Sequence, residues 1–333
     1  MLRIGLVGAG LITDLHLIAW RNCPGASVVA ICDPALERAE ARAREFAIPA
    51  VYPSVEGMIA QERLDALDVA SPRETHAGMV RLAAARGLHV LCQKPFVRSV
   101  AEAEALIAEI GGRIRVMVHQ NWRFRPAYRQ IGAWLREGQI GRPRAVQVAA
   151  RSSGFLPDAE GRVPALRRQP FMATLDDLVV SEMLIHHLDL LRYVVGPLRV
   201  VWARLGRSCA DIRGADRATI VLEGEGGLPA VVEGDFAVPG HAPRSVDRFE
   251  IFGTRGAARF VDMKLTLGGA ETREIAFDPS AAYQKGFDDC FAHFVEALRT
   301  GAPFETPPEE NIGTLKLVED TIRLAGPIVD FRR

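Results

Sequence analysis

Two separated groups of side chains in this sequence could move a proton to or from a hydroxyl group. Lys94 follows Gln93 directly after an apolar run, residues 88–92. A lysine at the end of a strand can donate to a substrate hydroxyl or take up its proton. Glu182 and His186 are four positions apart, so on a helix they share a face, where a carboxylate can orient an imidazole. We therefore predict that Lys94, Glu182 and His186 are catalytic residues.

The same residues allow less specific interpretations. Lys94 could be an ordinary surface lysine in a loop. Glu182, His186 and Asp189 could bind a metal ion by their positions on one helix, but no further ligand cluster is visible, so we predict no metal. His187 points about 100° away from its neighbour on a helix, and we expect it to be a core residue.

A third group of residues could recognise a polyhydroxylated ligand. Trp122 and Arg123 lie in the polar and aromatic segment 119–126, and Arg167 lies in the irregular, proline-containing segment 154–180. Such ligands require hydrogen bonds together with a flat apolar surface. We predict that these three residues bind substrate, although the segment 119–126 could also be a structural hinge.

Residues 2–33 are predicted to form an N-terminal unit that binds a cofactor. An apolar strand ends at Gly8 and Gly10, a helix follows, and a second strand ends at Asp33. The glycines allow a pyrophosphate to approach the backbone, and the N–H groups near Leu11 and Ile12 face it. The Asp33 carboxylate can bind ribose hydroxyls and repels a 2′-phosphate, so the unit predicts NAD rather than NADP. The third glycine position is Thr13, and an ordinary βαβ unit with a glycine turn is the alternative.

The remaining elements predict an α/β Rossmann domain followed by an α+β domain. Strands and helices alternate up to residue 119, with Ser99 capping one helix, which predicts a doubly wound parallel sheet. After that, 178–195 reads as one helix, and strand-like runs fill 198–276. We predict domains at 1–120 and 121–333, the second with a largely antiparallel open sheet and helices on one face. An uncovered sheet face predicts a homodimer or homotetramer.

The bulk composition excludes some classes of function. Lys and Arg together number 41, as do Asp and Glu, so the formal net charge is zero. This balance argues against nucleic-acid binding. The sequence has no apolar stretch long enough to span a membrane and starts directly with a strand, so we expect no signal peptide. The five cysteines have no metal-ligand spacing, and we expect a cytoplasmic protein.

Taken together, these motifs resemble those of the Gfo/Idh/MocA oxidoreductase family over nearly the whole chain. The matching features are Gly8-Ala9-Gly10 with Asp33, Ser71-Pro72 with His76, Gly87 to Pro95, Asn121 with Arg123, and Glu182 to Asp189. The resemblance implies NAD(P), a sugar or polyol substrate, and an open sheet used for oligomer contacts. It implies that Lys94 polarises the reacting oxygen and His186 exchanges its proton. It also implies cofactor-binding roles for Ser71, Pro72, His76, Gln93, Lys94 and Asn121, and substrate-binding roles for Lys94, Glu182, His186 and Asp189.

Three positions depart from the family pattern. Gln93 replaces an acid, Glu182 replaces an aspartate common in the family, and Leu184 replaces a glycine. These variants are similar to a branch of the family that includes aldose dehydrogenases, which would oxidise an aldose to a lactone. A non-catalytic dinucleotide- and sugar-binding sensor of the same fold is the rival hypothesis, and the presence of both Lys94 and His186 favours chemistry.

Overall fold

The computed structural model describes residues 1–270 and 272–332, which form two compact units. The first unit comprises Met1–Pro126 and Ser280–Leu315, and the second comprises Ala127–Pro279 and the chain from Lys316 onward. The division into domains at 1–120 and 121–333 stays a prediction, because a compact unit need not fold by itself.

The secondary structure alternates strand and helix in its first third. The strands are β1 (Leu2–Val7), β2 (Ala26–Cys32), β3 (Ala50–Tyr52), β4 (Ala66–Val69), β5 (His89–Gln93), β6 (Val116–His119), β7 (Pro143–Arg151), β8 (Leu198–Arg207), β9 (Arg217–Gly224), β10 (Pro229–Asp235), β11 (Val246–Gly253), β12 (Ala257–Val261), β13 (Lys264–Gly268), β14 (Arg273–Ala276) and β15 (Val329–Asp330). The α-helices are α1 (Thr13–Arg21), α2 (Leu36–Phe46), α3 (Val55–Gln61), α4 (His76–Ala85), α5 (Val100–Ile110), α6 (Pro126–Arg136), α7 (Pro164–Arg168), α8 (Ile185–Val195), α9 (Pro279–Thr300) and α10 (Pro308–Ala325). Short 3-10 turns cover Arg73–Thr75, Asn121–Phe124, Pro170–Thr174 and Glu225–Gly227, and a π-helix covers Leu178–Leu184.

The first unit is built on a parallel sheet, which among the described residues has six strands in the order β3-β2-β1-β4-β5-β6. Every neighbouring pair is parallel, which confirms the predicted Rossmann sheet. The strand order reverses between β1 and β4. Ligands of open α/β sheets bind outside the carboxyl ends of the strands at such a reversal.

Apolar side chains cover both faces of this sheet. One face carries Val90 and Cys92 against α4 and α5. On the other face α9 packs beside α1, with the rings of Trp20 and Phe291 4.5 Å apart between centroids. The helix α5 begins as predicted, because the Ser99 hydroxyl accepts a hydrogen bond from the N–H of Glu102 at 3.1 Å.

The second unit is built on a mixed sheet with the order β14-β13-β12-β11-β7-β10-β9-β8-β15 among the described residues. Most neighbouring pairs are antiparallel, as predicted, while β7 with β10 and β8 with β15 are parallel. Tyr128 of α6 packs on Phe249 and Phe260, with ring centroids 5.6 and 5.5 Å away. A shift in the register of β8 leaves both Val201 and Trp202 exposed, as expected at a β-bulge.

The helix predicted over 178–195 is divided in two. Its first part, Leu178–Leu184, is a π-helix, and α8 follows from Ile185. Leu184 packs tightly over Gly234 of β10, where an added Cβ would lie 2.9 Å from the leucine methyl groups. Among the helices of the described residues, we found none that is both long and apolar enough to cross a membrane.

Candidate active site

The glycine turn after β1 has the geometry needed for close approach of a ligand to the backbone. Gly8 has φ +102°, and a Cβ there would lie 2.8 Å from the carbonyl oxygen of Ala70. At Gly10 an added Cβ would meet nothing within 4 Å. The positive end of the α1 dipole lies at the turn, and no side chain caps this N-terminus. The turn therefore fits a dinucleotide pyrophosphate.

Thr13 closes this turn with its own side chain. The Thr13 hydroxyl donates to the carbonyl oxygen of Gly8 at 3.0 Å, and the residue is fully buried. A glycine at this position could not form that bond. Thr13 therefore takes the place of the smaller glycine and adds a hydrogen bond between α1 and the turn.

Asp33 lies at the carboxyl end of β2 and is held by two backbone groups. Its Oδ2 accepts from the N–H of Ala9 at 2.8 Å, and its Oδ1 accepts from the N–H of Ala35 at 2.8 Å. The carboxylate is partly exposed, and each oxygen retains a further lone pair. Asp33 thus fixes the glycine turn and can still accept hydrogen bonds from ribose hydroxyls.

His76 connects the loops after β4 and β5. Its Nδ1 lies 2.9 Å from the carbonyl oxygen of Pro95, and its Nε2 lies 2.9 Å from that of Ser71. Burial lowers the pKa of His76, and a neutral imidazole has only one N–H to donate. The Ser71 hydroxyl is 2.6 Å from that of Thr75. The structure therefore brings Ser71 and His76 together but buries His76, whose ring nitrogens already face protein carbonyls.

Lys94 follows β5 and is partly exposed. Its N–H donates to the side-chain Oε1 of Gln93 at 2.8 Å, and the Lys94–Pro95 peptide bond is cis. Gln93 is 8% exposed and contacts two buried histidines, His16 and His119. Neither histidine was predicted from the sequence, although Asp68, the partner of His16, is visible there as a carboxylate within an apolar strand.

The turn Asn121–Phe124 is buried at all four positions, with Asn121 and Arg123 each 3% exposed. The guanidinium of Arg123 lies 2.7 Å from a carboxylate oxygen of Glu310. The guanidinium of Arg125 lies 3.9 Å from the ring centroid of Trp122. Arg123 and Trp122 therefore have intramolecular partners, and their substrate-binding roles stay predictions.

In the second unit, Glu182 and His186 lie on either side of the junction between the π-helix and α8. Both are partly exposed, whereas His187 and Asp189 are 2% and 1% exposed. The burial of His187 confirms the prediction that it is a core residue, and its Nε2 lies 3.1 Å from Asp247 Oδ1. A π-helix bonds residue i to i+5, so the four-residue spacing on one α-helical face does not apply to this pair.

Arg167 and Arg168 are exposed at the end of α7. With Asp158 and Pro164 they line an open cavity of about 310 Å³, close to the lower end of the range for small-molecule sites. Hydrogen bonds from the backbone of Arg162, together with nearby guanidinium groups, lower the pKa of Asp158. Arg167 is therefore available to a ligand of this unit. In the described part of the chain, no three His, Cys, Asp or Glu side chains form a metal-binding group.

Comparison with known proteins identifies relatives over nearly the whole chain. A family model described as "Oxidoreductase family, NAD-binding Rossmann fold" matches residues 2–119, and a "GFO/IDH/MocA C-terminal domain" matches residues 128–259. A D-apiose dehydrogenase from Paraburkholderia graminis is 33% identical over 95% of this chain and 85% of its own length. A second D-apiose dehydrogenase, from Rhizobium rhizogenes, is 28% identical over 99% of this chain and 97% of its own.

A solved structure agrees with these relationships. It is an oxidoreductase from Agrobacterium radiobacter in complex with NAD+, L-tartaric acid and magnesium. It is 27% identical to this chain, covers 97% of it and 96% of its own chain, and superposes with a TM-score of 0.89.

Proposed function

This chain belongs to the Gfo/Idh/MocA oxidoreductase family, and we propose that it oxidises a hydroxyl of a small sugar or polyol. It is an NAD-binding oxidoreductase of the sugar dehydrogenase kind. When bound, NAD supplies the atom that accepts the hydride. The observation that carries the proposal is Lys94, a partly exposed lysine at the carboxyl end of β5, in the same parallel sheet as the turn of Gly8 and Asp33.

We assign the proton chemistry to two side chains. The Lys94 ammonium donates a hydrogen bond to the reacting oxygen and so stabilises the negative charge that develops there. The imidazole of His186 accepts the hydroxyl proton when hydride leaves, and returns it in the reverse direction. The role of Glu182 in orienting His186 rests on the family resemblance alone, because the π-helix removes the argument from their four-residue spacing. The partial exposure of Lys94 and His186 supports the roles of these two side chains.

The binding roles are proposed residue by residue. The cofactor-binding set is Gly8, Gly10, Leu11, Ile12, Asp33, Ser71, Pro72, His76, Gln93, Lys94 and Asn121. The substrate-binding set is Lys94, Trp122, Arg123, Arg167, Glu182, His186 and Asp189. The exposure of Arg167 beside an open cavity supports its place in the substrate-binding set. NAD is preferred to NADP because the fixed Asp33 carboxylate repels a 2′-phosphate.

The proposed substrate is an aldose oxidised at its anomeric carbon. That carbon gives up a hydride, its hydroxyl gives up a proton, and the retained ring oxygen makes the product a lactone. The two D-apiose dehydrogenases among the relatives support an aldose. An inositol-type polyol would instead give a ketone by the same transfer.

We also propose that the chain assembles as a homodimer or homotetramer through its second sheet. Val201 is 39% exposed and Trp202 is 46% exposed on β8, and such apolar side chains favour burial by another copy. Light scattering coupled to size-exclusion chromatography tests this assembly, and a monomer at micromolar concentration would contradict it.

The proposed function is tested by NADH formation over a panel of aldoses, polyols and sugar acids, with Lys94→Ala as the decisive variant. We expect this variant to lose about 10²- to 10⁴-fold in kcat and to retain NAD binding. The matched control is Lys264→Ala, because Lys264 is 59% exposed on β13. Near-normal turnover of Lys94→Ala would contradict the assignment. Tight NAD binding by the wild-type protein with no NADH formed from any substrate would favour the sensor hypothesis.

A further inference from the structure

A buried row of polar side chains extends inward from Lys94 in the first unit. Asp68 and His16 are both 0% exposed, and the Nδ1 of His16 lies 2.9 and 3.0 Å from the two carboxylate oxygens. The indole N–H of Trp20 donates to Asp68 Oδ2 at 2.7 Å. Gln93 Nε2 lies 3.0 Å from the Nε2 of His16 and 3.0 Å from the Nδ1 of His119. We call this row of side chains the Gln93 array.

One backbone group fixes the orientation of the Gln93 side-chain amide. The N–H of Lys94 can only donate, and it points at one side-chain atom of Gln93 at 2.8 Å. That atom must be the amide oxygen, because an NH₂ group there would place two donors together. The NH₂ group of Gln93 therefore faces both histidines and donates one proton to each.

The protonation of both histidines follows from this direction. His16 accepts at Nε2 and donates from Nδ1 to Asp68, so it is the neutral Nδ1–H tautomer. His119 accepts at Nδ1, so it is the neutral Nε2–H tautomer. Burial is the main cause that holds the pKa of His119 well below its usual range, and the charge of Lys94 acts in the same direction. The neighbouring rings of Phe287 and Phe291 bring no charge to the pair.

We propose that Gln93 is a positioning residue that holds the backbone of Lys94 and keeps His16 and His119 neutral behind it. The proposal rests on the role given to Lys94 in the proposed function. It gives a structural role to Gln93, which stands where the family pattern has an acid. Within the Gln93 array, only Asp68 carries a formal charge. The residue that follows Gln93 in the chain is Lys94.

An acid at position 93 would require His16 to be protonated at both ring nitrogens. A carboxylate has no proton to donate, so after accepting from the Lys94 N–H it can bond His16 only if His16 Nε2 carries a proton. His16 already donates from Nδ1 to Asp68, so it would take up a proton from solvent and become an imidazolium. The variant Gln93→Glu would therefore add one negative and one positive charge to the array.

The tautomers can be measured directly in ¹⁵N-histidine-labelled protein by ¹H–¹⁵N NMR, with signals assigned through single histidine substitutions. We expect wild-type His16 to be protonated at Nδ1 alone and His119 at Nε2 alone at neutral pH. In Gln93→Glu we expect both nitrogens of His16 to be protonated. The control Gln61→Glu makes the same change at an exposed position of α3 and should leave both signals unchanged.

The consequence for Lys94 is measured as kcat with the best substrate of the panel. Displacement of a reacting group by about 1 Å costs on the order of 100-fold in rate, so we expect at least a tenfold loss of kcat in Gln93→Glu and none in Gln61→Glu. A doubly protonated His16 in the wild-type protein would overturn the proposal, as would unchanged tautomers and kcat in Gln93→Glu. The wild-type NMR spectrum needs no substrate. It therefore tests the protonation of His16 and His119 even if the proposed dehydrogenase activity is not found.

Discussion

The carboxylate of Asp33 joins two parts of the chain that a dinucleotide must contact. It accepts from the N–H of Ala9 in the glycine turn and from that of Ala35 at the start of the next helix. Because both oxygens are held, the negative charge has a fixed position. Charge and backbone geometry at this site therefore depend on a single side chain.

We expect Asp33→Asn to lower the ratio of kcat/KM for NAD to that for NADP by at least about tenfold. The substitution removes the charge that repels a 2′-phosphate, and a 1.4 kcal/mol change corresponds to a factor of ten. Steady-state rates with both cofactors measure the ratio. Asp65→Asn is the control, because Asp65 also accepts a backbone N–H, from Arg3 at 2.7 Å. An unchanged ratio in Asp33→Asn would remove the argument for NAD selectivity.

At the level of single residues, local motifs were predictable and long-range partners were not. Gly8 and Asp33 belong to a pattern of glycines and an acid with fixed spacing, so the sequence alone identified them. His16 and Asp68 are 52 positions apart, and no local pattern relates them. Asp68 was visible as a carboxylate in an apolar strand, but its partners could be found only from the packing.

Among the secondary-structure elements, α1 begins in an unusual way. Its first residue, Thr13, donates a hydrogen bond back to the carbonyl of Gly8 at 3.0 Å. The bond is buried, so water cannot replace it. The start of the helix and the shape of the turn are therefore coupled.

We expect Thr13→Val to lower the free energy of unfolding by about 1 kcal/mol, the net value of one buried hydrogen bond, and to weaken NAD binding. Thr13→Ser keeps the hydroxyl and is the matched control. Urea unfolding and NAD titration by calorimetry measure the two effects. Equal NAD affinity in the valine and serine variants would show that the hydroxyl does not shape the turn.

The element before α8 shows a limit of sequence patterns. Residues 178–195 were predicted as one helix, which the apolar content supports, but Leu178–Leu184 is a π-helix. The hydrogen-bond register of a helix leaves little trace in a short apolar run. The contact of Leu184 with Gly234 comes from a residue fifty positions later. The position of Glu182 relative to His186 could therefore not be derived from their spacing.

For the whole molecule, two buried histidines make stability depend on pH. Burial lowers the pKa values of His76 and His119, while an unfolded histidine has a pKa of about 6.5. Below that pH the unfolded chain binds protons that the folded chain does not. The free energy of unfolding is therefore highest above pH ~6.5, and it decreases as the pH falls towards the pKa values of the two histidines in the folded protein.

We expect the free energy of unfolding to decrease between pH 7.5 and 5.5, by up to about 1.4 kcal/mol per pH unit for each histidine. Urea unfolding at several pH values measures this slope. His76→Asn should reduce the slope relative to the wild-type protein, whereas His241→Asn, at an exposed position, should not. A His76→Asn slope equal to that of the wild-type protein would contradict the contribution of His76.

The return of α9 to the first unit has a consequence for synthesis on the ribosome. Trp20 and the first sheet obtain part of their core from Phe287, Phe291 and Phe294, which are translated after the entire strand-rich region of the second unit. At about 5–20 residues per second, the nascent N-terminal region waits on the order of ten seconds for these side chains. The part of the chain that is made first is thus completed late, and its apolar surface is open to chaperones during that interval.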